Sequence, residues 1–464
     1  MQKPASPAGF CLSNWFCERM KYCMPNPILP FWEYIPDGEP RVFGDRVYLY
    51  GSHDRVAGDA FCDFKLKVWS APLNNLNAWQ CHGDSFRTRP GKKRGADTPW
   101  TDHELYAPDV IEKDGKFYLY AYIVGAKGAV GVSDRPEGPF RLLSSYRYTD
   151  QVGDEGIFND AGVLVDTDGR VYVYYGFTQS HMNELNPETM CDVLPGSYRH
   201  PVIDDAETVP EERRFYEASS PRKIGDTYYL IYSPRKGSRL AYATSKSPTG
   251  PFTYRGYIID NGVDYPAGNN HGSIACLNGQ WYVFYHRMTN HSITSRRACA
   301  EKITILPDGS IPPVEMTSLG FEDALNPYQI TPAEIACVLT GGCFITEKDV
   351  FTRVITDVTD GCVMGYKYYD FGDDLTGDGM TLALKVKGMG VNCRVHVLLD
   401  DPKEGREIGA CAIGTGDGVY RTAVQPVTGR HALYLAAENK IEGWMGQFFE
   451  NRRLFELESF VFLK

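Results

Sequence analysis

A tight turn followed by a short alternating aromatic run returns five times between Gly44 and Tyr285, and that repetition leaves very few architectures open. The copies read GDRVYLY at Gly44 to Tyr50, DGKFYLY at Asp114 to Tyr120, DGRVYVY at Asp168 to Tyr174, GDTYYLIY at Gly225 to Tyr232 and NGQWYVFY at Asn278 to Tyr285. Gly, Asp and Asn supply the turn, and the Val, Leu and aromatic residues behind it suit a pleated strand. The copies recur at about 55 to 70 residues, the span of one propeller blade with insertions. Similar hairpins also build β-sandwiches, but five copies with one Tyr placement favour a propeller, and five repeats imply five blades.

Around Leu319 to Pro332 the repeat stops. Short alternating runs follow at Val363 to Phe371, Met380 to Val386, Cys393 to Leu399, Tyr420 to Val424, His431 to Leu435 and Leu454 to Phe462, separated by turn residues. That spacing predicts a jelly-roll-like β-sandwich. The expected organisation is all-β: an unassigned tail over 1–25, a five-bladed propeller over 26–322 and a sandwich over 323–464.

Composition excludes several function classes. Net charge is −11 and no dense Lys/Arg block occurs, so neither nucleic acid nor an anionic membrane is an expected partner. No apolar run reaches the roughly 18 residues of a membrane helix. The 13 cysteines form no CxxC pair, which predicts neither a disulfide framework nor a zinc site, and points to a reducing compartment. Residues 1 to 23 mix Phe10, Trp15 and Phe16 with Glu18, Arg19 and Lys21 and carry no apolar core of a signal peptide, so the expected location is cytoplasmic. Nothing in the sequence indicates an oligomeric state.

Acidic residues precede the repeated strands at matching places: Asp37 and Glu39, then Asp109, Asp160 and Glu217. Equivalent positions of successive blades surround the propeller axis, so these carboxyls converge on one channel. Glu217 lies between Phe215-Tyr216 and the small residues Ala218, Ser219 and Ser220, surroundings that raise a carboxyl pKa and keep it protonated near neutrality. Asp37 and Glu39 are two apart on an extended segment and face the same way.

In order and phase these motifs resemble glycoside hydrolase family 43, over roughly residues 26 to 320. The resemblance rests on SHD at Ser52 to Asp54, on YAPD at Tyr106 to Asp109 where the family usually has WAPD, and on the Asp160 segment. It continues through YEASSPRKIGDTYYLIYS from Tyr216, NHGS at Asn270 to Ser273, and Arg296-Arg297-Ala298. It implies a five-bladed enzyme that cleaves arabinosides, xylosides and related plant glycans with inversion. Inversion needs a carboxylic acid to protonate the leaving oxygen and a carboxylate, about 6.5 to 9.5 Å away, to activate water.

By resemblance Glu217 is the acid and Asp160 the residue that tunes it. The base position departs from the family, which usually has Asp directly before Pro, whereas in this chain Glu39 precedes Pro40. Glu39 is the favoured base, with Asp37 left open as its replacement or as a substrate contact. His271 and Arg296 are implied near the acids, His53 and Asp54 are candidate sugar ligands, and Trp32 and Tyr106 are candidate stacking platforms. No cofactor is required; a structural calcium near His271 is the one metal the resemblance suggests, and no catalytic metal is expected. The C-terminal segment more loosely resembles family 6 carbohydrate-binding modules, with Tyr366, Tyr420 and Trp444 as sugar-stacking candidates. The expected substrate is an arabinose- or xylose-containing oligosaccharide attacked from its end. The alternatives are a galactosidase or galactanase of the same family, or a glycan-binding propeller whose base has decayed.

Overall fold

The computed structural model describes residues 25–464 apart from 57, 126–127, 146–157, 205–208, 375–378, 442–447 and 449–450. The described chain is all-β, with short 3-10 turns at Glu211–Arg213 and Ala333–Ile335. Five antiparallel sheets follow one another along the chain. They comprise Glu39–Phe43, Arg46–Tyr50, Lys65–Pro72 and Gln80–Arg87; then Leu105–Lys113, Lys116–Ile123, Ala129–Ser133 and Arg141–Ser145; then Gly162–Val165, Val171–Tyr175 and His181–Leu185. The fourth holds Phe215–Ile224, Thr227–Pro234, Arg239–Ser245 and Thr253–Asp260, and the fifth Ser273–Leu277, Gln280–Thr289 and Ser292–Ile303. Within each sheet strand order is sequence order, as successive hairpins dictate.

Each repeated motif forms the second strand of its sheet, and the acidic residues lie at or just before the first. In the first sheet that first strand is Glu39–Phe43, paired with the motif run Arg46–Tyr50. The turns between these strands use positive φ where the sequence has Gly or Asn, as at Gly44 (61°) and at Asn278 (51°) with Gly279 (83°).

Period-two alternation explains why the motif needs apolar residues on both faces. Val47 and Leu49 pack against Ala275, Leu277 and Phe284 of the fifth sheet, while Tyr48 and Tyr50 pack against Val110 and Leu119 of the second. Tyr120 and Val130 meet Val163 and Val173 of the third; Tyr172 and Tyr174 meet Phe215 and Leu230 of the fourth; Tyr229 and Ile231 meet Ile274 and Val283 of the fifth. Each apolar core therefore lies between consecutive sheets, and the fifth sheet packs back on the first. The last Tyr of three motifs passes its hydroxyl to a carbonyl beyond the following sheet's second strand: Tyr50 to Pro136 (2.6 Å), Tyr120 to Met190 (2.8 Å) and Tyr174 to Pro248 (2.6 Å). A Phe there would fill the core and leave the carbonyl unpaired.

Beyond residue 330 the strands Val363–Asp370, Met380–Gly388, Cys393–Leu399, Gly418–Val424, Arg430–Asn439 and Phe455–Leu463 fall on the six alternating runs. They belong to one six-stranded and one five-stranded sheet, and Leu382, Leu384 and Phe460 of the former share a buried cluster with Met364, Val397 and Leu433 of the latter. Tyr366 is fully buried in that cluster, its hydroxyl on the Ala333 carbonyl, so it presents no face to a sugar. Tyr420 is half-buried with its hydroxyl on the Gly416 carbonyl, and Trp444 lies outside the described residues. Arg287 of the fifth sheet fastens the two parts together through the carbonyls of Glu334 (2.6 Å) and Ala336 (2.8 Å).

Candidate active site

The first strands of the five sheets are joined by a buried ionic knot. Arg41 donates to both carboxylate oxygens of Asp109 (3.0 and 2.6 Å) and to the Val163 carbonyl (3.0 Å). Arg222 bonds Glu39 and the Ile274 carbonyl (2.9 Å), and the Ser220 hydroxyl donates to Glu39 (2.8 Å). Glu39 is 5% exposed and Asp109 2% exposed, so each charge depends on its partner. Burial would raise the Glu39 pKa, but Arg222 and Arg41 outweigh it and hold the carboxylate ionised. Glu39, the base favoured from sequence, is therefore occupied as the counter-ion of two arginines.

Asp37, on the turn just before that strand, lies among different groups. Its carboxylate accepts Arg296 Nη1 (2.8 Å) and the Ser52 hydroxyl (2.6 Å), and its backbone N–H donates to His286 Nδ1 (3.3 Å). His271 Nδ1 stands 3.8 Å from Asp37 and 4.0 Å from Asp160. Burial opposes ionisation of Asp37, but Arg296 above all holds its pKa below the usual carboxylate value. Burial drives the His286 pKa down to about 3 and lowers that of His271, so both rings are neutral near pH 7.

Arg296 is fixed from behind by Asp54, which accepts its Nε, its Nη2 and its backbone N–H, each at 2.9 Å. Asp54 is thus the guanidinium's anchor, with both oxygens engaged. His53 bridges Glu33 and Asp63 (3.0 Å each), which raises its pKa against burial and commits it to that ion group.

Glu217 and Asp160 complete the group. Burial, then the negative Asp37, pushes the Glu217 pKa up to about 7, with Arg296 offsetting part of the rise. Burial, then Glu217 and Asp37, raises Asp160 well above its ordinary value, while the Ala218 N–H favours its charged form. Two such carboxyls cannot both ionise at low cost, so the pair shares a proton near neutrality. The half-buried Glu217 opens toward solvent because Phe215–Ile224 bulges between Phe215 and Ser220, which leaves Tyr216 and Glu217 both partly exposed.

Backbone strain gathers at the same place. Asp37 (φ 57°), Ala107 (32°), Asp160 (48°) and Ala218 (70°) all adopt left-handed conformations without being glycine. Such residues cost on the order of 1–3 kcal/mol each and persist where the surroundings fix them. Ser52 is one such tie, accepting the Ala107 N–H (2.7 Å) while it donates to Asp37.

The sequence model of Glycosyl hydrolases family 43 matches residues 24–311, the region that holds every group just described. The chain belongs to this family. It is therefore a glycoside hydrolase. A xylosidase/arabinosidase of Thermoclostridium stercorarium is 40% identical over 400 residues, covering 74% of this chain and 82% of that protein. A solved family 43 beta-xylosidase/alpha-arabinofuranosidase from a compost microbial metagenome, in complex with xylotriose, is 28% identical with a TM-score of 0.54. It covers 63% of this chain and 97% of its own. An arabinoxylan arabinofuranohydrolase structure from Bacillus subtilis, at 23% identity and TM-score 0.53, shares the fold over 96% of this chain and 100% of its own.

Around the family 43 site, sequence reasoning missed Arg41, Ser52, Arg222 and His286, and it missed Phe61. The Phe61 ring is half-buried beside the Arg296 guanidinium, 4.9 Å from ring centre to charge, and its carbonyl lies 3.4 Å from the Tyr106 hydroxyl. Phe61 and the half-buried Tyr106 form an aromatic wall on the Arg296 side. Trp32 is 41% exposed and meets Phe351 of the C-terminal part edge-on, with ring centres 6.2 Å apart. A calcium ion near His271 finds a poor donor set: Asp37 already carries the Arg296 charge, and no group of three His, Cys, Asp or Glu among the described residues could hold a metal.

Proposed function

We propose that this family 43 enzyme is an inverting, exo-acting glycosidase that removes xylose or arabinose from plant oligosaccharides, with Asp37 as base and Glu217 as acid. The observation that carries this reading is the contrast between two carboxyls that feel each other's charge. Asp37 is held ionised by Arg296, and Glu217 is held protonated up to about pH 7 by burial and by Asp37 itself. A water between Asp37 and the anomeric carbon loses its proton to the carboxylate as it attacks. Glu217 donates its proton to the departing oxygen on the opposite side of the ring. Asp160 and Glu217 resist being negative together, which favours a proton on the pair, and Arg296 keeps Asp37 aimed and ionised.

In this assignment Asp37 replaces Glu39 as base, and the reading of a decayed base loses its ground. Xylose and arabinose are supported by the names of the relatives: the Thermoclostridium protein is a xylosidase/arabinosidase, and the metagenomic structure holds xylotriose. Five propeller blades over 26–322 are supported by the five cores between consecutive sheets and the packing of the fifth on the first. A sandwich over 323–464 is supported by two sheets sharing one core. With Tyr366 buried and Arg287 bonded across the junction, we read that sandwich as a buttress of the fifth blade. The cytoplasmic reading is supported by the thiols of Cys62, Cys299, Cys337 and the other described cysteines, all unpaired.

The test is a panel of 4-nitrophenyl glycosides with xylo-, arabino- and galacto-oligosaccharides, following monosaccharide release. Xylose or arabinose should appear from the oligosaccharide end. Galactose as the only product would move the substrate to the galactosidase alternative.

A further inference from the structure

Phe177 is a large apolar residue, 40% exposed, on the loop after Val171–Tyr175. That loop is tied to the residues that precede both members of the acid pair. The Gly176 N–H donates to the Asn159 carbonyl (3.1 Å), next to Asp160, and the Thr178 N–H donates to the Tyr216 carbonyl (2.5 Å), next to Glu217. The Phe177 ring leans on that of Tyr216, with centroids 4.8 Å apart at 56°. The loop is stiff. Thr178 sits at φ 64°, and a side chain at Gly176 would meet the Gln179 carbonyl oxygen at 1.9 Å, so only glycine fits there. An apolar ring held in water by a strained, doubly anchored loop is a recognition feature rather than a core residue.

Its side of the site follows from the chemistry. In an inverting displacement the base and its water attack one face of the anomeric carbon, and the leaving group departs from the other, beside the acid. Asp37, Arg296 and the Phe61–Tyr106 wall make up the first side, and Glu217 with Tyr216 and Phe177 the second. We propose that Phe177, backed by Tyr216, is the platform on which the ring of the departing sugar stacks, so that the enzyme prefers substrates whose leaving group is itself a sugar ring. This inference rests on the acid assignment of Glu217 and names the substrate contact on that side.

The experiment compares xylobiose with methyl β-xyloside, in which the departing group is a methanol with no ring to stack. With the whole chain as Phe177→Ala, kcat/KM on xylobiose should fall about tenfold, mostly through KM, while methyl β-xyloside changes less than about twofold. Phe177→Tyr should retain most of the xylobiose activity. Phe177→Leu keeps apolar bulk without a flat face, and should lose xylobiose activity at an unchanged melting temperature. Equal losses on the two substrates, or none on xylobiose, would overturn the platform while leaving the glycosidase reading intact. A parent enzyme that releases xylose from neither substrate would overturn the xyloside reading and this inference with it.

Discussion

Exchanging the carboxylates of Asp37 and Glu39 one at a time for their amides separates chemistry from architecture. Asp37→Asn removes the proton acceptor, so hydrolysis of every substrate should fall by about 10² to 10⁴, whatever the leaving group, because water attack is needed in each case. The amide still fits between Ser52 and Arg296, and Arg296 keeps its three hydrogen bonds to Asp54, so the fold should lose less than in the Glu39 variant. Glu39→Gln should do the opposite. Arg222 and Arg41 would lose the carboxylate that they share, leaving Asp109 as the remaining anion of the knot. Breaking a buried ion pair by removing one partner costs about 3–5 kcal/mol, which should appear as a lower urea midpoint. Activity per folded molecule should stay within a few-fold of the parent. The assays are kcat on an activated and an unactivated glycoside at a temperature where both variants are folded, with urea titrations alongside. A dead Glu39→Gln enzyme of parental stability, beside an active Asp37→Asn enzyme, would refute the assignment.

Glu217→Gln should cost about 10² to 10⁴ on glycosides with sugar or alkyl leaving groups and much less on nitrophenyl glycosides, which leave without a proton; equal losses would argue against its role as acid. The parent kcat/KM should fall as pH rises through about 7, because Glu217 loses the proton that it must donate, and it should hold on the acid side until Asp37 protonates, below the usual carboxylate value. Asp160→Asn removes a carboxyl that resists being charged together with Glu217, so the alkaline limb should move to lower pH; a limb that stays in place would remove Asp160 from the account.

How much of this was legible in sequence depended on how local each signal is. The second strands of the five sheets and six strands near the C-terminus were readable because period-two alternation is written in adjacent residues, and the turns because Gly and Asn tolerate positive φ. Glu217 and Asp160 were readable as members of a converging set. The choice between Asp37 and Glu39 was not. Both lie on one short segment, and what separates them is Arg222, 183 positions away, which claims Glu39, and Arg296, which claims Asp37. Arg41, two residues after Glu39 on the same strand, was the one local hint that Glu39 would be neutralised. His286 is a second-strand residue that only the folded chain brings to Asp37, and Phe61 gains meaning only beside Arg296. Tyr366 misled for the converse reason: on an alternating strand, sequence does not say which face meets the second sheet.

The central claim is that Asp37 and Glu217 work from opposite faces of one sugar ring, and the anomer formed first reports on it directly. Proton NMR spectra recorded within the first turnovers of 4-nitrophenyl β-xyloside, before mutarotation, should show α-xylose accumulating ahead of β-xylose. Initial appearance of β-xylose would mean retention through a covalent intermediate, and would contradict the base role of Asp37, whose carboxylate would then be the nucleophile.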